Sequence, residues 1–246
     1  MHSNYSIQPT AAPAPALGIR GFHPPAQGRS LATLDRIVRA TEAVLAERGP
    51  SGVTVGRVVR RARASVGSFY ARFDDKDAAI RYAQQRFWGS LEVAWDQYLD
   101  PSRWTEVSPI GVVAGLIRTL VRVQVRDARR LRAFMTDALE RPRSGLIERT
   151  VALDRHVARG VAALLAARGP SLSGPAARET AALGFERVLS AVRDQVMLGR
   201  LAGPGGAAPA NQLTLVLVGM YAGLLGLADA PRTYADLLRL CARGRS

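Results

Sequence analysis

The chain carries apolar residues at helical spacing over most of its length. In the first such segment, residues 31–48, one stripe is formed by Leu34, Ile37, Val38, Thr41, Val44 and Leu45. Recurrence at intervals of three and four residues is typical of an amphipathic helix, and Gly49 followed by Pro50 predicts its end. Since no alternation of apolar and polar residues persists along the chain, we expect an all-α protein of about ten helices.

Two short helices are predicted to follow the first. One begins after Thr54, which is a good N-cap. The other covers residues 66–71 after a second good N-cap, Ser65, and Phe69 and Phe73 are expected to face inward from it. The helix after Thr54 is expected to bury Val55, Val58, Val59 and Ala62.

Proline and glycine separate the remaining helices. Asp75 is expected to cap a fourth helix, which continues to about residue 99 and ends at Pro101. Later helices are predicted at about 107–126, 128–140, 144–168, 175–201, 211–228 and 233–243.

The segment from Thr54 to Lys76 outlines a helix-turn-helix. The second helix of this motif enters the major groove of DNA and must approach base edges closely, and Gly67 and Ser68 are small enough to permit it. Lys76 lies in the first turn of the next helix, where a cation opposes the helix dipole; contact with a phosphate would explain it. The predicted DNA contacts are Thr54, Arg63, Ser65, Val66, Gly67, Ser68, Tyr70, Arg72 and Lys76.

The charge of the chain favours a polyanionic partner. The formal net charge is +14, and between Arg29 and Lys76 ten basic residues are opposed by five acidic ones. Each basic residue that neutralises a phosphate releases counterions, so binding should weaken steeply with salt. Residues 1–29, rich in Pro, Ala and Gly, are predicted to form a disordered arm. The arm either stays mobile or places Arg20 or Arg29 in the minor groove.

The N-terminal region contains a distinctive combination of short strings. They are AERG at 46–49, Thr-Val at 54–55, and S-x-G-S-F-Y-x-x-F-x-x-K-D-A at 65–78. On these strings, residues 31–80 resemble the N-terminal domain of the TetR (tetracycline-repressor-like) family of bacterial regulators. The resemblance implies an all-α homodimer with a variable C-terminal ligand-binding domain. It also implies phosphate contacts by Tyr70 and Lys76 and base contacts by the helix at 66–71.

The chain departs from the family pattern at the turn and at the start of the third helix. The usual turn glycine is Arg63, which adopts a positive φ angle less readily. Either the turn differs, or a phosphate contact by Arg63 compensates for the cost. Val66 stands where a basic or polar residue is common, and it favours apolar contact with a thymine methyl group over a hydrogen bond to guanine.

The C-terminal part of the chain carries none of the familiar catalytic motifs. His2, His23 and His156 lie far apart, and the single Cys241 excludes an internal disulfide. We therefore expect no catalytic site, no metal site and no cofactor. The resemblance, together with aromatic and polar residues on apolar helices, suggests a pocket for a mostly apolar small molecule. The candidate contacts are Trp88, Trp95, Arg118, Arg122, Phe134, Asp137, Phe185 and Gln195.

The chain is expected to divide into three parts. They are an N-terminal arm (1–29), a helix-turn-helix domain (30–77) and a ligand-binding and dimerisation domain (78–246). The helices at about 175–201 and 211–228 have wide apolar faces, and they are the predicted homodimer interface. The apolar run at 213–228 is too short to span a membrane. The single cysteine suits a reducing compartment, so a cytoplasmic protein is expected.

These patterns predict a sequence-specific transcriptional regulator, most simply a repressor that a mostly apolar small molecule releases from operator DNA. Two alternatives stay open. One is a helical small-molecule-binding protein or enzyme whose basic face is incidental, and the other is a protein that binds nucleic acid without sequence preference. Arg57, Arg60 and Arg61 either contact DNA or form only a solvated helix face.

Overall fold

Ten α-helices account for most of the residues that the structure describes. The computed structural model describes residues 18–25, 28–141, 145–201 and 207–243. Within them, the prediction of an all-α fold with about ten helices is confirmed. The helices are α1 (Gly28–Gly52), α2 (Val55–Ala62), α3 (Val66–Tyr70), α4 (Lys76–Leu99), α5 (Pro109–Arg126), α6 (Ala128–Glu140), α7 (Leu146–Ala166), α8 (Pro175–Met197), α9 (Ala207–Leu224) and α10 (Tyr234–Arg243).

The described residues divide into two compact units. The first, here called the N-terminal unit, comprises those within 18–93 and 129–150, and the second, the C-terminal unit, those within 94–128 and 151–243. Helix α6 therefore belongs with α1, α2 and α3, although it is distant from them in sequence. The functional boundary predicted after residue 77 is a different division and stays a prediction.

The apolar stripe of α1 and the inward residues of α2 and α3 build the core of the N-terminal unit. Ile37 and Val38 are fully buried, as are Phe69 and Phe73. Three of the four positions predicted to be buried in α2 are indeed buried: Val58, Val59 and Ala62. Val55 is only half-buried, because it is the first residue of α2 and the neighbouring elements cover only part of it.

Helix α1 is interrupted where the Gly-Pro pair predicts its end. Gly49 has φ 70° and ψ 178°, a conformation that glycine adopts far more readily than other residues. A short turn beyond this break carries the chain to Gly52, and the Val53 N–H donates to the Pro50 carbonyl at 3.2 Å. The regular helix therefore ends as predicted, and the short turn leads directly to α2.

Ion pairs tie α6 to α1 and α4 within the N-terminal unit. The mostly buried Glu42 carboxylate of α1 lies 3.0 Å from Arg130 of α6 and 3.4 Å from Arg86 of α4. Arg86 also pairs with Asp35 at 2.7 Å. Since a mostly buried carboxylate is costly when its partner is removed, Glu42 favours the arrangement that keeps all three helices together.

Helix α5 lies at the centre of the C-terminal unit. Every residue from Ile110 to Ile117 is buried, and the helix packs against α8, α9 and α10. The ring of Trp104, which ends a short 3₁₀ turn, lies so close to Gly115 of α5 that a β-carbon there would come within 2.8 Å of it. The indole N–H of Trp104 donates to the Tyr98 carbonyl at 2.7 Å.

Two late helices have different ends from those predicted. Helix α8 ends at Met197 rather than at residue 201, and Gly199 follows it with φ 74°. Helix α9 covers 207–224 rather than 211–228, and Gly226 follows it with φ 64°. In the part of the chain that the structure describes, no helix has the length and apolar character needed to cross a membrane.

Candidate nucleic-acid interface

Local hydrogen bonds fix the starts of α2 and α3. The Thr54 hydroxyl accepts from the Arg57 N–H at 3.3 Å, and the Ser65 hydroxyl accepts from the Ser68 N–H at 3.0 Å. These side-chain oxygens satisfy backbone donors that a helix start leaves without partners. Both N-caps predicted from the sequence are therefore present, and they hold the two helices of the motif in a defined geometry.

The turn between α2 and α3 contains a left-handed residue that is not glycine. Arg63 has φ 49° and ψ 49°. Its N–H donates to the Arg60 carbonyl at 3.3 Å, and the Ala64 N–H donates to the Val59 carbonyl at 3.0 Å. These two hydrogen bonds occur at the C-terminal ends of many helices, where the left-handed residue is usually glycine. The turn therefore adopts the positive φ angle although its residue is not glycine. The Arg63 side chain is exposed to solvent.

Helix α3 has a buried side and an exposed side. Phe69 is fully buried and lies against Phe73, with ring centroids 5.6 Å apart. Val66 and Tyr70 are each 52% exposed, and Gly67 is also exposed. The exposed side is the surface that a helix-turn-helix offers to the major groove.

The start of α4 follows α3 after a short turn. The Asp75 carboxylate accepts from the Ala78 N–H at 2.6 Å and caps the helix as predicted. Lys76 is the first residue of α4 and is half-buried. Backbone N–H groups and the helix dipole favour an anion at such an end. Because the Asp75 carboxylate already binds at this end, the group that the turn offers to a phosphate is the Lys76 ammonium.

The three arginines of α2 have different surroundings. Arg61 pairs with Glu47 of α1 at 2.7 Å, and this hydrogen bond lowers the pKa of the Glu47 carboxyl. Arg57 donates to the Gly52 carbonyl at 2.9 Å, whereas Arg60 is exposed. The charge of Arg61 is therefore partly balanced within the protein, so Arg57 and Arg60 are better candidates for DNA contact.

Residues 18–25, here called the strap, lie against the junction of α3 and α4. The His23 N–H donates to the Arg72 carbonyl at 2.8 Å, and the Asp74 N–H donates to the Gly21 carbonyl at 2.9 Å. Gly21 has φ 79°, and a β-carbon there would come within 3.1 Å of an Asp74 carboxylate oxygen. The close approach of the two backbones therefore requires glycine at this position.

Side chains of the strap add an aromatic and an ionic contact. The Phe22 ring lies 4.4 Å from the Tyr82 ring and 5.6 Å from the Phe73 ring, measured between centroids. The His23 Nε2 lies 2.7 Å from a carboxylate oxygen of Asp74. The strap thus packs on the same aromatic cluster that supports the buried side of α3.

The structure differs here from the expectation of a disordered arm over residues 1–29. Residues 1–17, 26 and 27 lie outside the described residues, as does the side chain of Arg29, so their part of that prediction stays untested. Arg20 lies on the strap, where its side chain is exposed and its carbonyl accepts from Arg81 at 3.1 Å. The sequence signal for the strap is weak, because it consists mainly of the apolar Ile19 and Phe22 among Gly and Pro.

The predicted ligand contacts fall in both compact units. In the N-terminal unit, Trp88 and Phe134 are buried against each other with ring centroids 5.9 Å apart. Asp137 is buried and accepts from Gln84 at 3.0 Å, and its pKa is raised by burial. The other candidates lie in the C-terminal unit: Trp95, Arg118, Arg122, Phe185 and Gln195. The eight residues therefore do not form one cluster within either unit, and their role stays a prediction.

A surface groove of about 420 Å³ lies between α7 and α8 in the C-terminal unit. None of the predicted ligand contacts is among its lining residues, which are Arg159, Ala162, Ala163, Arg178, Glu179, Ala182, Leu183 and Glu186. Phe185 instead packs against Tyr221, with centroids 5.5 Å apart. In the described part of the chain, no group of His, Cys, Asp and Glu residues is arranged to hold a metal ion.

Comparison with known families identifies the helix-turn-helix region. Residues 37–82 match the model of the family described as bacterial regulatory proteins, tetR family. Over this segment the chain is similar to the tetR family. All of the predicted DNA contacts lie inside the tetR-family segment, so the resemblance seen in the sequence is confirmed.

Solved structures of regulators share the fold. A transcriptional regulator from Rhodococcus sp. Rha1 is 24% identical, with 80% of this chain and 99% of that chain covered and a TM-score of 0.52. A TetR-family regulator from Mesorhizobium loti MAFF303099 is 15% identical, with 80% and 98% covered and a TM-score of 0.60. The fatty acid degradation regulator FadR from Bacillus halodurans is 16% identical, with 79% and 97% covered and a TM-score of 0.52. At these identities the likeness concerns the fold, and no curated protein matches the chain.

Proposed function

We propose that this protein is a sequence-specific transcriptional regulator that binds operator DNA as a homodimer and represses transcription until a mostly apolar small molecule releases it. The observation that carries the proposal is the exposed side of α3, which includes Val66 and Tyr70, inside a tetR-family domain. The capped starts of α2 and α3 and the net charge of +14 support it.

In this proposal the nine predicted residues divide between two tasks. Tyr70 and Lys76 bind phosphates, which fixes the position of the protein on the duplex but carries no sequence information directly. Val66, Gly67 and Ser68 at the start of α3 face base edges. The other four contact the backbone at the edges of the groove: Thr54, Arg63, Ser65 and Arg72.

Binding to a duplex selected from a random pool tests the DNA-binding part. Lys76→Ala should weaken binding to every sequence and reduce the slope of log affinity against log salt by about one. Tyr70→Phe removes only the hydroxyl and should weaken binding without changing that slope. Arg155→Ala is the matched control, since Arg155 is an exposed arginine of the C-terminal unit. Equal affinity of the unmodified protein for selected and random duplexes would exclude a sequence-specific regulator.

An exposed apolar stripe supports the homodimer. Val216, Met220 and Leu224 follow one another at four-residue intervals on α9 and are 49%, 67% and 53% exposed. A β-carbon added at Gly219 or Gly223 would meet nothing within 4 Å, so another helix could approach closely beside the stripe. A symmetric pair would present two recognition helices about 34 Å apart, which matches successive major grooves.

The oligomeric state tests the interface. Met220 is 67% exposed, so Met220→Glu should leave the fold intact but place a charge in the apolar interface and yield a monomer. Leu238→Glu changes an exposed leucine on α10 in the same unit and should leave the dimer unchanged. Light scattering with size-exclusion chromatography measures both variants. A Met220→Glu dimer as stable as the unmodified one would place the interface elsewhere.

Release by a ligand requires that the ligand bind the DNA-free state more tightly than the DNA-bound state. The aromatic candidates Trp95 and Phe185 favour an apolar effector, and an initial panel would include long-chain fatty acids and hydrophobic drugs. An effector should lower operator affinity, and by reciprocity operator DNA should lower effector affinity by the same factor. Compounds that bind without changing operator affinity would remove the release mechanism and leave DNA binding intact.

A further inference from the structure

Apart from Tyr70, which is assigned above to a phosphate, the exposed side of α3 offers few hydrogen-bonding side chains to a base. The Ser65 hydroxyl accepts from the Ser68 N–H and lies 2.8 Å from the Ser68 hydroxyl, so the two serines are paired with each other. Gly67 has no side chain. Arg72, just beyond α3, donates to the Ala71 carbonyl at 2.9 Å. The first outward side chain of the recognition helix is thus the hydrocarbon of Val66.

Val66 is placed as a rigid apolar probe. The residue is 52% exposed, although valine is usually buried, and it is the first residue of α3. The N-terminal residues of a recognition helix are those that reach base edges. A valine in a helix has one strongly preferred χ1 rotamer, so little side-chain freedom would be lost on contact.

Gly67 leaves room beside this probe. A β-carbon built at Gly67 would meet only the Ser65 hydroxyl oxygen, at 3.9 Å. Glycine is therefore not required here by crowding inside the protein. In a major groove, the absence of a side chain here would let the backbone of α3 come closer to the base edges and bring Val66 within reach of them.

We propose that Val66 reads the 5-methyl group of one thymine in each half-site, so that α3 selects a T·A pair by apolar contact rather than by a hydrogen bond. This inference rests on the proposed function, because it presupposes specific binding in the major groove. The thymine methyl group is the apolar feature that a T·A pair presents there, and small apolar side chains contact it.

Replacement of thymine by deoxyuridine tests the proposal directly. Deoxyuridine lacks the 5-methyl group and keeps every hydrogen-bonding group of thymine. The probe is a duplex selected from a random pool with the full-length protein, in which each thymine is replaced in turn. We expect one position in each half-site to lower affinity about fourfold, which corresponds to about 0.8 kcal/mol for one buried carbon group. Replacement at the other positions should have little effect.

A protein variant then assigns the contact to Val66. Val66→Ala should bind the thymine duplex more weakly and lose its sensitivity to deoxyuridine at that one position. Val66→Thr keeps a methyl group of the same shape and should retain part of the sensitivity. Because Val66 is exposed, neither change should unfold α3. The circular dichroism spectrum and the oligomeric state of each variant should therefore match those of the unmodified protein.

The outcomes separate the inference from the function on which it rests. Failure of the unmodified protein to select any sequence would overturn both. Specific binding with no deoxyuridine-sensitive position would overturn the methyl contact alone. If Val66→Ala stays as sensitive to deoxyuridine as the unmodified protein, the assignment to Val66 is overturned, because another residue then reads the methyl group.

Discussion

Replacement of Arg63 by glycine should stabilise the protein. Arg63 holds the left-handed turn between α2 and α3 at φ 49° and ψ 49°. This conformation costs a residue other than glycine about 1–2 kcal/mol. Glycine gains freedom in the unfolded chain, which offsets about 0.4–1 kcal/mol. We therefore expect Arg63→Gly to raise the free energy of unfolding by about 0.5–1 kcal/mol, or the melting temperature by about 1–4 °C.

Urea unfolding at one fixed protein concentration measures this change, since association makes stability concentration-dependent. Tryptophan fluorescence is a suitable signal because Trp88 is buried in the N-terminal unit. Arg60→Gly is the matched control. Arg60 is exposed inside α2, so glycine there should destabilise by about 1 kcal/mol. The two substitutions remove the same side chain from positions three residues apart and should shift the midpoint in opposite directions.

A midpoint for Arg63→Gly at or below that of the unmodified protein would refute the strain argument. The same variant also tests whether DNA contact compensates for that strain. If Arg63 binds a phosphate, Arg63→Gly should lower operator affinity and reduce the salt slope by about one while the protein becomes more stable. If Arg63→Gly raises stability while operator affinity stays unchanged, Arg63 does not bind a phosphate.

Three further changes test contacts inside the N-terminal unit. Phe22→Ala removes the ring that lies 4.4 Å from Tyr82, so hydrogen exchange of strap amides should speed up. Asp137→Asn should stabilise the protein at neutral pH. Burial raises the pKa of Asp137, so its charged form lowers the free energy of unfolding as pH rises above the ordinary carboxyl range. The stabilisation by Asp137→Asn, measured by urea unfolding, should therefore shrink as pH falls toward about 4. Glu42→Gln removes the charge that Arg86 and Arg130 share. Because Arg86 keeps its pair with Asp35, we expect the free energy of unfolding to fall by about 1–2 kcal/mol.

The sequence predicts the helices well because their signals are local. The stripe of α1 and the caps Thr54, Ser65 and Asp75 depend on residues within four positions of one another, so periodicity and capping chemistry suffice. All three caps are present in the structure. The strap depends instead on contacts across about fifty residues, such as that between His23 and Asp74. A segment rich in Gly and Pro has no local sequence pattern that predicts contacts with residues so distant in the chain.

The candidate ligand residues show a second limit of sequence reasoning. An aromatic residue on an apolar helix has the same pattern whether it lines a cavity or fills the core. Trp88 and Phe134 pack on each other, and Phe185 packs on Tyr221. Only the three-dimensional arrangement reveals these partners, because the packed residues are distant in sequence. The residues predicted to contact DNA are easier to propose from sequence because they lie in one short segment.

The position of α6 has a practical consequence for anyone who wishes to isolate the half of the protein that carries the motif. A gene fragment that stops after residue 93 would lack Arg130 and Phe134, so Glu42 would lose one of its two arginines and Trp88 would be left with a solvent-facing gap. The piece that corresponds to the N-terminal unit is therefore not a continuous stretch of polypeptide. Residues 129–150 would have to be spliced back through an artificial connection before that piece could be studied alone.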